Sequence, residues 1–483
     1  MWLYDNSTGC EFPKGSQKTI ATLSAVWMAG YDQTNSLKVA AQTYRSGGTT
    51  DYWPGPIDSI PQTLSQRHAI SQTWAKIWKI NSVDINAFLQ LSTHTIANTP
   101  ASILEWPAKG NSYAKGASGT SLTITRDMAP FVDVNADGVY NPLAGDHPKM
   151  KGSQMLWWII NDATDAHTVA LTNELKMEIR MSAYAYNAGT VLDNIIFYEY
   201  EVTNRSATNY SSYRLGVLAD FDLGQPFDDM TGFNEQQRMA FTYNSNSTPF
   251  PAAIGGLVWV EQPGDTYNSY APLGSYKTYN NGSGSDGDPK NGPEFNHLMN
   301  SRNRAGQPYP NGSAYGSTNE RQECDDLVSV GDRRVVLATK DYQFQPGQTM
   351  KFATALVAAD SMESCPAVDF TRLHETADTA YSLYWHPRQM TIDPPVNPSG
   401  IATMTRSELR MFPNPAMNRL FVEIGDQAHG MLNVYDALGR SVALLQSRTA
   451  KGFELNTFML SAGVYSVRHQ NNSATGTGIF VKE

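Results

Sequence analysis

The sequence is poor in cysteine, and this limits the chemistry available to it. Its three cysteines are Cys10, Cys324 and Cys365, and no two of them form a C-x-x-C pair. A zinc knuckle and a thioredoxin-type redox site are therefore not favoured. Two interpretations stay open: one disulfide between Cys324 and Cys365, the nearer pair in sequence, or three free, buried thiols.

Long apolar runs and surplus positive charge are also missing. No stretch approaches the roughly 20 apolar residues of a membrane-spanning helix, so no transmembrane segment is predicted. The formal net charge of −10 repels phosphate backbones, which argues against nucleic acid as a partner. From Arg406 onward, eight Lys and Arg oppose six Asp and Glu, so this segment carries +2 and the remainder −12. The acidic remainder suits metal cations.

Catalytic and nucleotide-binding signatures are absent as well. The sequence has no Gly-x-Ser-x-Gly elbow, and residues 15–19 lack the spacing of a phosphate loop. Gly282, Gly284 and Gly287 match G-x-G-x-x-G, but they lie in a stretch rich in Asn, Gly and Ser, without the strand and helix that a dinucleotide site requires. We therefore predict no catalytic residue and no nucleotide cofactor.

Strand-forming and turn-forming residues are abundant. The chain contains 24 Tyr, 10 Trp, 37 Gly and 26 Pro, a composition that favours strands joined by turns. Apolar and polar residues alternate from Leu175 to Ala185, which predicts a strand with one buried face. Apolar residues recur at helical spacing from Phe370 to Tyr384, which predicts one amphipathic helix. We therefore predict a mostly β fold, with a β-sandwich body and a few helices.

Changes in composition divide the chain into four parts. Residues 1–150 are predicted to be a mixed region that ends in a calcium loop, and residues 151–390 the β-sandwich body, with a long loop at 263–326. Residues 391–406 contain the run Asp-Pro-Pro-Val-Asn-Pro-Ser-Gly, which is typical of a linker because proline lacks the backbone donor and fixes φ. Residues 407–483 follow as a separate small β domain.

The last part carries a series of motifs. Pro-Asn-Pro and Ala-Leu-Gly-Arg are turn sequences flanked by alternating strands, which predicts a small Ig-like β-sandwich. The motifs lie at residues 411–416, 420–423, 432–440, 455–457, 460–468 and 478–482. This segment resembles the type A C-terminal sorting domain of type IX secretion in Bacteroidetes. The resemblance implies recognition by an outer-membrane translocon, removal by a sortase-like peptidase, and release or attachment to surface lipopolysaccharide.

Parts of the body also resemble large secreted Bacteroidetes proteins that carry the same tail. These parts are residues 12–16, 39–44, 53–56, 131–148 and 220–224, and the resemblance implies location more than activity. The N-terminus lacks the basic and apolar regions of a signal peptide. Because a sorting domain acts after passage across the inner membrane, we expect the natural N-terminus to lie upstream.

A first candidate cation site is a loop with oxygen-bearing side chains at alternate positions. Such a loop, with a glycine at its sharp turn, is able to wrap a hard cation such as calcium. Its predicted ligands are Asp133, Asn135, Asp137, the carbonyl of Val139 and Asn141. The place of the bidentate Glu of an EF-hand is taken by Ala144, so Asp146 is predicted to substitute. The alternative is a metal-free Asp/Asn turn.

A second candidate site is an acidic group at a predicted strand end. Asp220, Asp222, Asp228 and Asp229 surround a Gly and a Pro, and four carboxylates so close repel one another unless a cation neutralises them. Structural calcium is our interpretation. Two alternatives stay open: a glycosidase-type carboxylate pair in a secreted polysaccharide hydrolase, and a plain solvated loop.

Aromatic residues suggest a further binding role. Trp53, Trp157 and Trp158 are candidates for stacking on sugar rings, while the adjacent Ile159 and Ile160 favour a place in the core for at least one of them. Taken together, the sequence predicts an exported protein, surface-attached or released, that is structural, adhesive or ligand-binding and calcium-stabilised. Its expected partners are the secretion machinery, lipopolysaccharide and glycans.

Overall fold

The structure is a computed structural model with two compact units, Met1–Asp393 and Pro394–Glu483, called here the body and the tail. It describes residues 9–12, 19–44, 46–58, 62–244, 252–267, 269–308, 320–322, 330–361, 368–385, 406–423, 431–435, 441–442, 444, 446–449, 451–458, 460–470 and 475–482. The division between the units falls inside the predicted linker 391–406, of which residues 391–405 lie outside the described ranges.

The described part of the body is built mainly from strands. In chain order they are β1 (Cys10–Glu11), β2 (Thr19–Ala21), β3 (Leu23–Tyr31), β4 (Leu37–Ala40), β5 (Trp53–Pro54), β6 (Trp78–Asn81), β7 (Phe131–Val132), β8 (His147–Pro148), β9 (Gln154–Asn161), β10 (Met177–Ala185), β11 (Ile195–Asn204), β12 (Tyr210–Asp220), β13 (Asp229–Asn234), β14 (Met239–Asn244), β15 (Ala252–Glu261), β16 (Ser275–Asn280), β17 (Glu320–Gln322), β18 (Arg333–Ala338), β19 (Tyr342–Phe344) and β20 (Thr349–Ser361). The α-helices are α1 (Leu64–Thr73), α2 (Ser82–Leu89), α3 (Ala101–Leu104), α4 (Gly292–Leu298) and α5 (Thr371–Trp385).

Two antiparallel sheets dominate the body. The larger has the order β17-β13-β14-β15-β20-β11-β10-β9-β5, with β6 also pairing with β9. The smaller has the order β16-β18-β12-β3-β4, with β19 also pairing with β12. Apolar residues of both sheets share one core, to which β3, β12 and β18 contribute from one side and β10, β11 and β20 from the other. The predicted β-sandwich is therefore confirmed.

The outer face of each sheet is also covered. In β3, Val26 and Met28 point into the shared core, while the alternate residues Ala25 and Trp27 join a second cluster with Phe295 of α4. The outer face of the larger sheet packs against α5 and the segments around α1 to α3. Strands buried on both faces carry apolar residues at successive positions, which obscures the period-two signal.

Most predicted elements are present, with two corrections. The alternation from Leu175 to Ala185 forms β10, and the helical spacing after Phe370 forms α5. The long loop predicted at 263–326 is wrong in part, because it contains β16 and α4. The segment has few aliphatic residues, which is why no strand was predicted, and β16 buries Tyr and Thr side chains in their place. The boundary predicted at residue 150 falls inside one compact unit, Met1–Asp393, in which β3 pairs with β12 along its whole length.

The described part of the tail is a small sandwich of its own. Its strands are β21 (Arg406–Glu408), β22 (Arg410–Phe412), β23 (Arg419–Glu423), β24 (Met431–Tyr435), β25 (Ser441–Val442), β26 (Gln446–Thr449), β27 (Gly452–Asn456), β28 (Gly463–Gln470) and β29 (Thr475–Lys482). They form sheets of order β21-β29-β28-β24-β25 and β22-β23-β27-β26 around one apolar cluster. In the Pro-Asn-Pro turn, the Asn414 amide bonds the backbone of β29 at Ile479 (3.1 Å) and Val481 (2.9 Å) and so links the two sheets.

Candidate metal centre

Strand pairing creates an acidic cluster at one end of the smaller sheet. In the antiparallel pair β12–β18, Asp220 lies opposite Arg334, so the end of β12 meets the start of β18. Asp222 follows β12 and Asp332 precedes β18. Carboxylate oxygens of Asp220, Asp222 and Asp332 lie within 4.8 Å of one another, and this is the one such group of three among the described residues. The sequence predicted Asp220 and Asp222 as ligands and missed Asp332, which is more than a hundred residues away along the chain.

The surroundings of Asp220 fix one of its carboxylate oxygens and leave the other without a hydrogen bond. Oδ2 accepts hydrogen bonds from the hydroxyls of Tyr44 and Thr22, the latter at 3.2 Å. Oδ1 is buried and accepts none within the described structure, although Arg334 Nε lies 3.7 Å away. Burial raises the pKa of Asp220 to about 7; Arg334 opposes this rise and the carboxylate of Asp222 adds to it.

Asp229 places a further buried carboxylate near the cluster. It is the first residue of β13 and is fully buried, and in the described part of the chain neither carboxylate oxygen has a hydrogen bond of normal length, although the backbone of Leu223 approaches closely enough to oppose the rise in its pKa. Burial raises its pKa to about 9, with contributions from Asp222 and Asp228. The pKa of Asp228 is also raised by burial. A backbone hydrogen bond from Gly331 to the carbonyl of Asp229 (3.1 Å) ties β13 to the segment that carries Asp332.

Arg334 is the cation that contacts several of these carboxylates. Its guanidinium lies 2.7 Å from Asp332 and 3.9 Å from Asp288, in addition to its approach to Asp220. One guanidinium compensates only part of the charge of so many carboxylates when all are ionised. Buried carboxylate oxygens without donors are the ligands that hard divalent cations prefer, and calcium accepts six to eight oxygens in flexible geometry. The cluster is therefore suited to hold a cation.

The first predicted calcium loop forms a turn in which its side-chain carboxylates accept hydrogen bonds from backbone N–H groups of the same loop. The carboxylate of Asp133 accepts from the N–H of Gly138 (2.7 Å), and that of Asp137 accepts from Val139 (2.8 Å) and from the Asn135 amide (2.8 Å). Asp146 is buried and accepts hydrogen bonds from the backbone N–H groups of Val134 and Asn141, each at 2.8 Å. Asn141 also caps the following turn through Leu143. Calcium binding by this loop stays a prediction.

The remaining candidates fall mostly into the core. Trp157 and Trp158 are buried, so both belong to the hydrophobic interior, while Trp53 is half-buried. Cys10 is a free thiol, and burial raises its pKa to about 11, with a contribution from Glu11. Cys324 and Cys365 lie outside the described residues, so the proposed disulfide stays a prediction. Among the helices that the structure describes, none is both long and apolar enough to cross a membrane.

Comparison with known proteins identifies the tail. Residues 410–483 match the family described as the secretion system C-terminal sorting domain. The chain is therefore sorted by the type IX secretion system and is secreted or placed on the outer surface, as the sequence motifs predicted. No curated protein sequence matches the chain.

Solved structures offer only distant likenesses. A polysaccharide lyase has a TM-score of 0.22 and 11% identity over 65% of this chain and 34% of its own. An aldose 1-epimerase-like protein from Escherichia coli K12 has a TM-score of 0.22 and 9% identity over 50% and 77%. A GH36 α-galactosidase from Geobacillus stearothermophilus in complex with raffinose has a TM-score of 0.22 and 10% identity over 70% and 39%. The chain thus spans about a third of the lyase, and scores this low support no inference about activity.

Proposed function

We propose that the body is an extracellular structural or ligand-binding module whose fold is stabilised by a divalent cation, with calcium as the best match. The observation that carries this proposal is the group formed by Asp220, Asp222 and Asp332, whose oxygens lie within 4.8 Å of one another. Oxygen ligands at the junction of two strands favour calcium over metals that prefer nitrogen or sulfur ligands.

The cluster supports a structural role for the cation better than a catalytic one. Asp220 and Asp229 are buried, with at most 1% of their surface exposed. Hydrolysis of a polysaccharide requires carboxylates that a bulky substrate is able to reach. A cation at this position would join the end of β12 and the segment before β13 to the start of β18, which lies far from both in sequence. Such a bridge stabilises the sandwich that the secreted protein presents to its surroundings.

The proposal predicts a calcium-dependent melting temperature. Purified full-length chain is stripped with EDTA and melted with and without calcium in excess of EDTA. Calcium that binds only the folded state adds about 2.7 kcal/mol at a free concentration one hundred times Kd. We expect the melting temperature of the body to rise by about 3 to 5 °C. Magnesium at the same concentration should give a smaller rise, because it demands stricter geometry.

Two variants make the test specific to the cluster. Asp332→Asn removes one charged ligand, so the calcium-induced rise should shrink to less than half, while the melting temperature in EDTA stays the same or increases as repulsion is relieved. Asp360→Asn is the matched control, because Asp360 is exposed and is not one of the three clustered carboxylates. The proposal fails if wild-type melting curves with calcium and EDTA coincide, or if Asp332→Asn responds to calcium as wild type does.

A further inference from the structure

A cavity of about 420 Å³ lies beside the larger sheet of the body, separate from the acidic cluster. One wall consists of the segment 127–131 together with Lys149 and Lys151, and the other consists of side chains from β9, β10, β11 and β20. Cavities of roughly 300 to 1,000 Å³ accommodate small ligands, and this one lies at the lower end, where a one- or two-ring sugar fits.

A row of charged side chains crosses three strands at this cavity. Arg180 of β10, Glu201 of β11 and Lys351 of β20 are opposite one another in the strand register. Arg180 Nη2 lies 2.9 Å and Lys351 Nζ 3.1 Å from the carboxylate of Glu201. Beside this row, Lys151 pairs with Glu199 of β11. The lining therefore alternates carboxylate acceptors with ammonium and guanidinium donors. A sugar hydroxyl both donates and accepts, so it is able to bond to both kinds of group at once.

The lining also holds more positive than negative charge. Its cations are Lys149, Lys151, Arg180 and Lys351, and its anions are Asp127, Glu199 and Glu201. Asp127 has its own partner, Lys109, at 3.7 Å, and Lys109 does not line the cavity. Lys149 is exposed and forms no ion pair within the described part of the chain. In a protein with a net charge of −10, this local surplus favours a ligand that carries a carboxylate or another anionic group.

The apolar part of the lining supplies a surface for a ring. Pro130 and Phe131, the first residue of β7, provide the accessible part of this surface, while Met128 and, from β9, Met155 and Trp157 are buried. Phe131 is half-buried and is held by an edge-to-face contact with Tyr140, with 5.4 Å between ring centroids. Apolar and aromatic side chains beside a few directed polar groups are the usual composition of a small-ligand site, and the C–H face of a sugar ring packs well on them.

We propose that this cavity binds an acidic sugar, a uronate residue of a glycan, with its carboxylate held by Lys149 and Lys351 and its hydroxyls by Glu199 and Glu201. The proposal deepens the role of the body as a ligand-binding module and rests on that role. The ligand class follows from the chemistry of the lining. The lining offers an excess of cationic donors for the carboxylate, carboxylate acceptors for the hydroxyls, and an apolar surface for the ring.

The test is isothermal titration calorimetry on the calcium-loaded full-length chain at low ionic strength. The probes are glucuronic acid, a glucuronate-containing disaccharide, glucose and inorganic phosphate. We expect the disaccharide to bind more tightly than glucose and phosphate. The double variant Lys149→Ala/Lys351→Ala should weaken its binding at least about tenfold, because charge-assisted hydrogen bonds to the carboxylate are lost. Both side chains are exposed, so the fold should survive, and the calcium-induced rise in melting temperature checks this.

The matched control is Lys340→Ala, an exposed lysine outside the cavity, which should bind the disaccharide as wild type does. The proposal is overturned if no uronate binds, if the double variant binds as tightly as wild type, or if phosphate competes as well as the disaccharide, which would mark a simple anion patch. A wild-type chain that shows the calcium response but binds no sugar would reject this proposal alone. Sugar binding without a calcium response would reject only the structural cation.

Discussion

At the scale of single residues, the acidic cluster is governed by burial. Asp229 has no exposed surface, and in the described part of the chain the weak approach of the Leu223 backbone is not enough to offset the burial of its carboxylate. A carboxylate in this position is costly to ionise, because it leaves water and meets the negative charges of Asp222 and Asp228. A divalent cation removes that cost, so the stability of the body should depend jointly on pH and calcium.

The pKa of Asp229, raised from its ordinary value near 4 to about 9, predicts the sign of this dependence. A group whose folded-state pKa exceeds its unfolded value contributes stability that is full below the unfolded pKa and is lost as pH rises through the folded pKa. In EDTA, the free energy of unfolding of wild type should therefore fall relative to Asp229→Asn between about pH 5 and pH 9. Urea denaturation at several pH values measures the difference. A difference that stays constant over that range would contradict the account.

The sequence predicted part of this cluster, and the missing part has a physical reason. Asp220, Asp222, Asp228 and Asp229 are close in sequence, so their mutual repulsion could be recognised without a structure. Asp332 joins them only because β18 pairs with β12 in one particular register. Register is set by the packing of both sheets, and a single sequence gives no local signal for it.

At the scale of elements, a buried histidine ties β4 to the loop between β9 and β10. The ring nitrogens of His167 lie 2.8 Å from the carbonyl oxygen of Val39 and 2.7 Å from that of Asp162. Both partners only accept, so a ring nitrogen that carries a proton donates a hydrogen bond to one of them. The buried carboxylates of Asp51 and Asp162 lie 4.0 and 3.5 Å from the ring nitrogens. This lone histidine thus has a structural role.

Replacing His167 should loosen this junction. In His167→Gln, a buried carbonyl loses its donor, which should lower the free energy of unfolding of the body by about 1 to 3 kcal/mol. His68→Gln is the control, because the pair between His68 and Asp165 is exposed and should change stability by less than about 1 kcal/mol. Urea denaturation of both variants measures the two effects. Equal stability of wild type and His167→Gln would contradict a structural role for the ring.

Strands and helices were predicted correctly where a single sequence pattern determines them. The strand β10 follows from strict alternation, and α5 follows from apolar spacing on one face. In contrast, β3 was missed because both of its faces are buried, so residues such as Ala25 and Val26 are apolar at successive positions. The strand β16 was missed because it is built from Ser, Tyr, Lys and Thr. Tertiary packing, and not local propensity, decides such strands.

At the scale of the whole molecule, the role of the tail could be recognised from the sequence, whereas the function of the body could not. The tail was recognised from sequence because short turns and strands follow one another locally, and its match to the sorting-domain family shows how the protein leaves the cell. The function of the body depends on side chains that only the folded sandwich brings together. The sequence alone therefore could not predict either of its two candidate sites in full, the acidic cluster or the cavity beside Lys149.

The central claim is that a divalent cation occupies the space between Asp220, Asp222 and Asp332. The most direct measurement is a crystal structure of the full-length chain grown with manganese in place of calcium, with an anomalous difference map collected at the manganese edge. The account predicts a peak bonded to all three carboxylates, at roughly the 2.3 to 2.6 Å of an oxygen-ligated calcium site or slightly less. A well-ordered cluster with no anomalous peak, in which the Arg334 guanidinium alone neutralises the carboxylates, would contradict it.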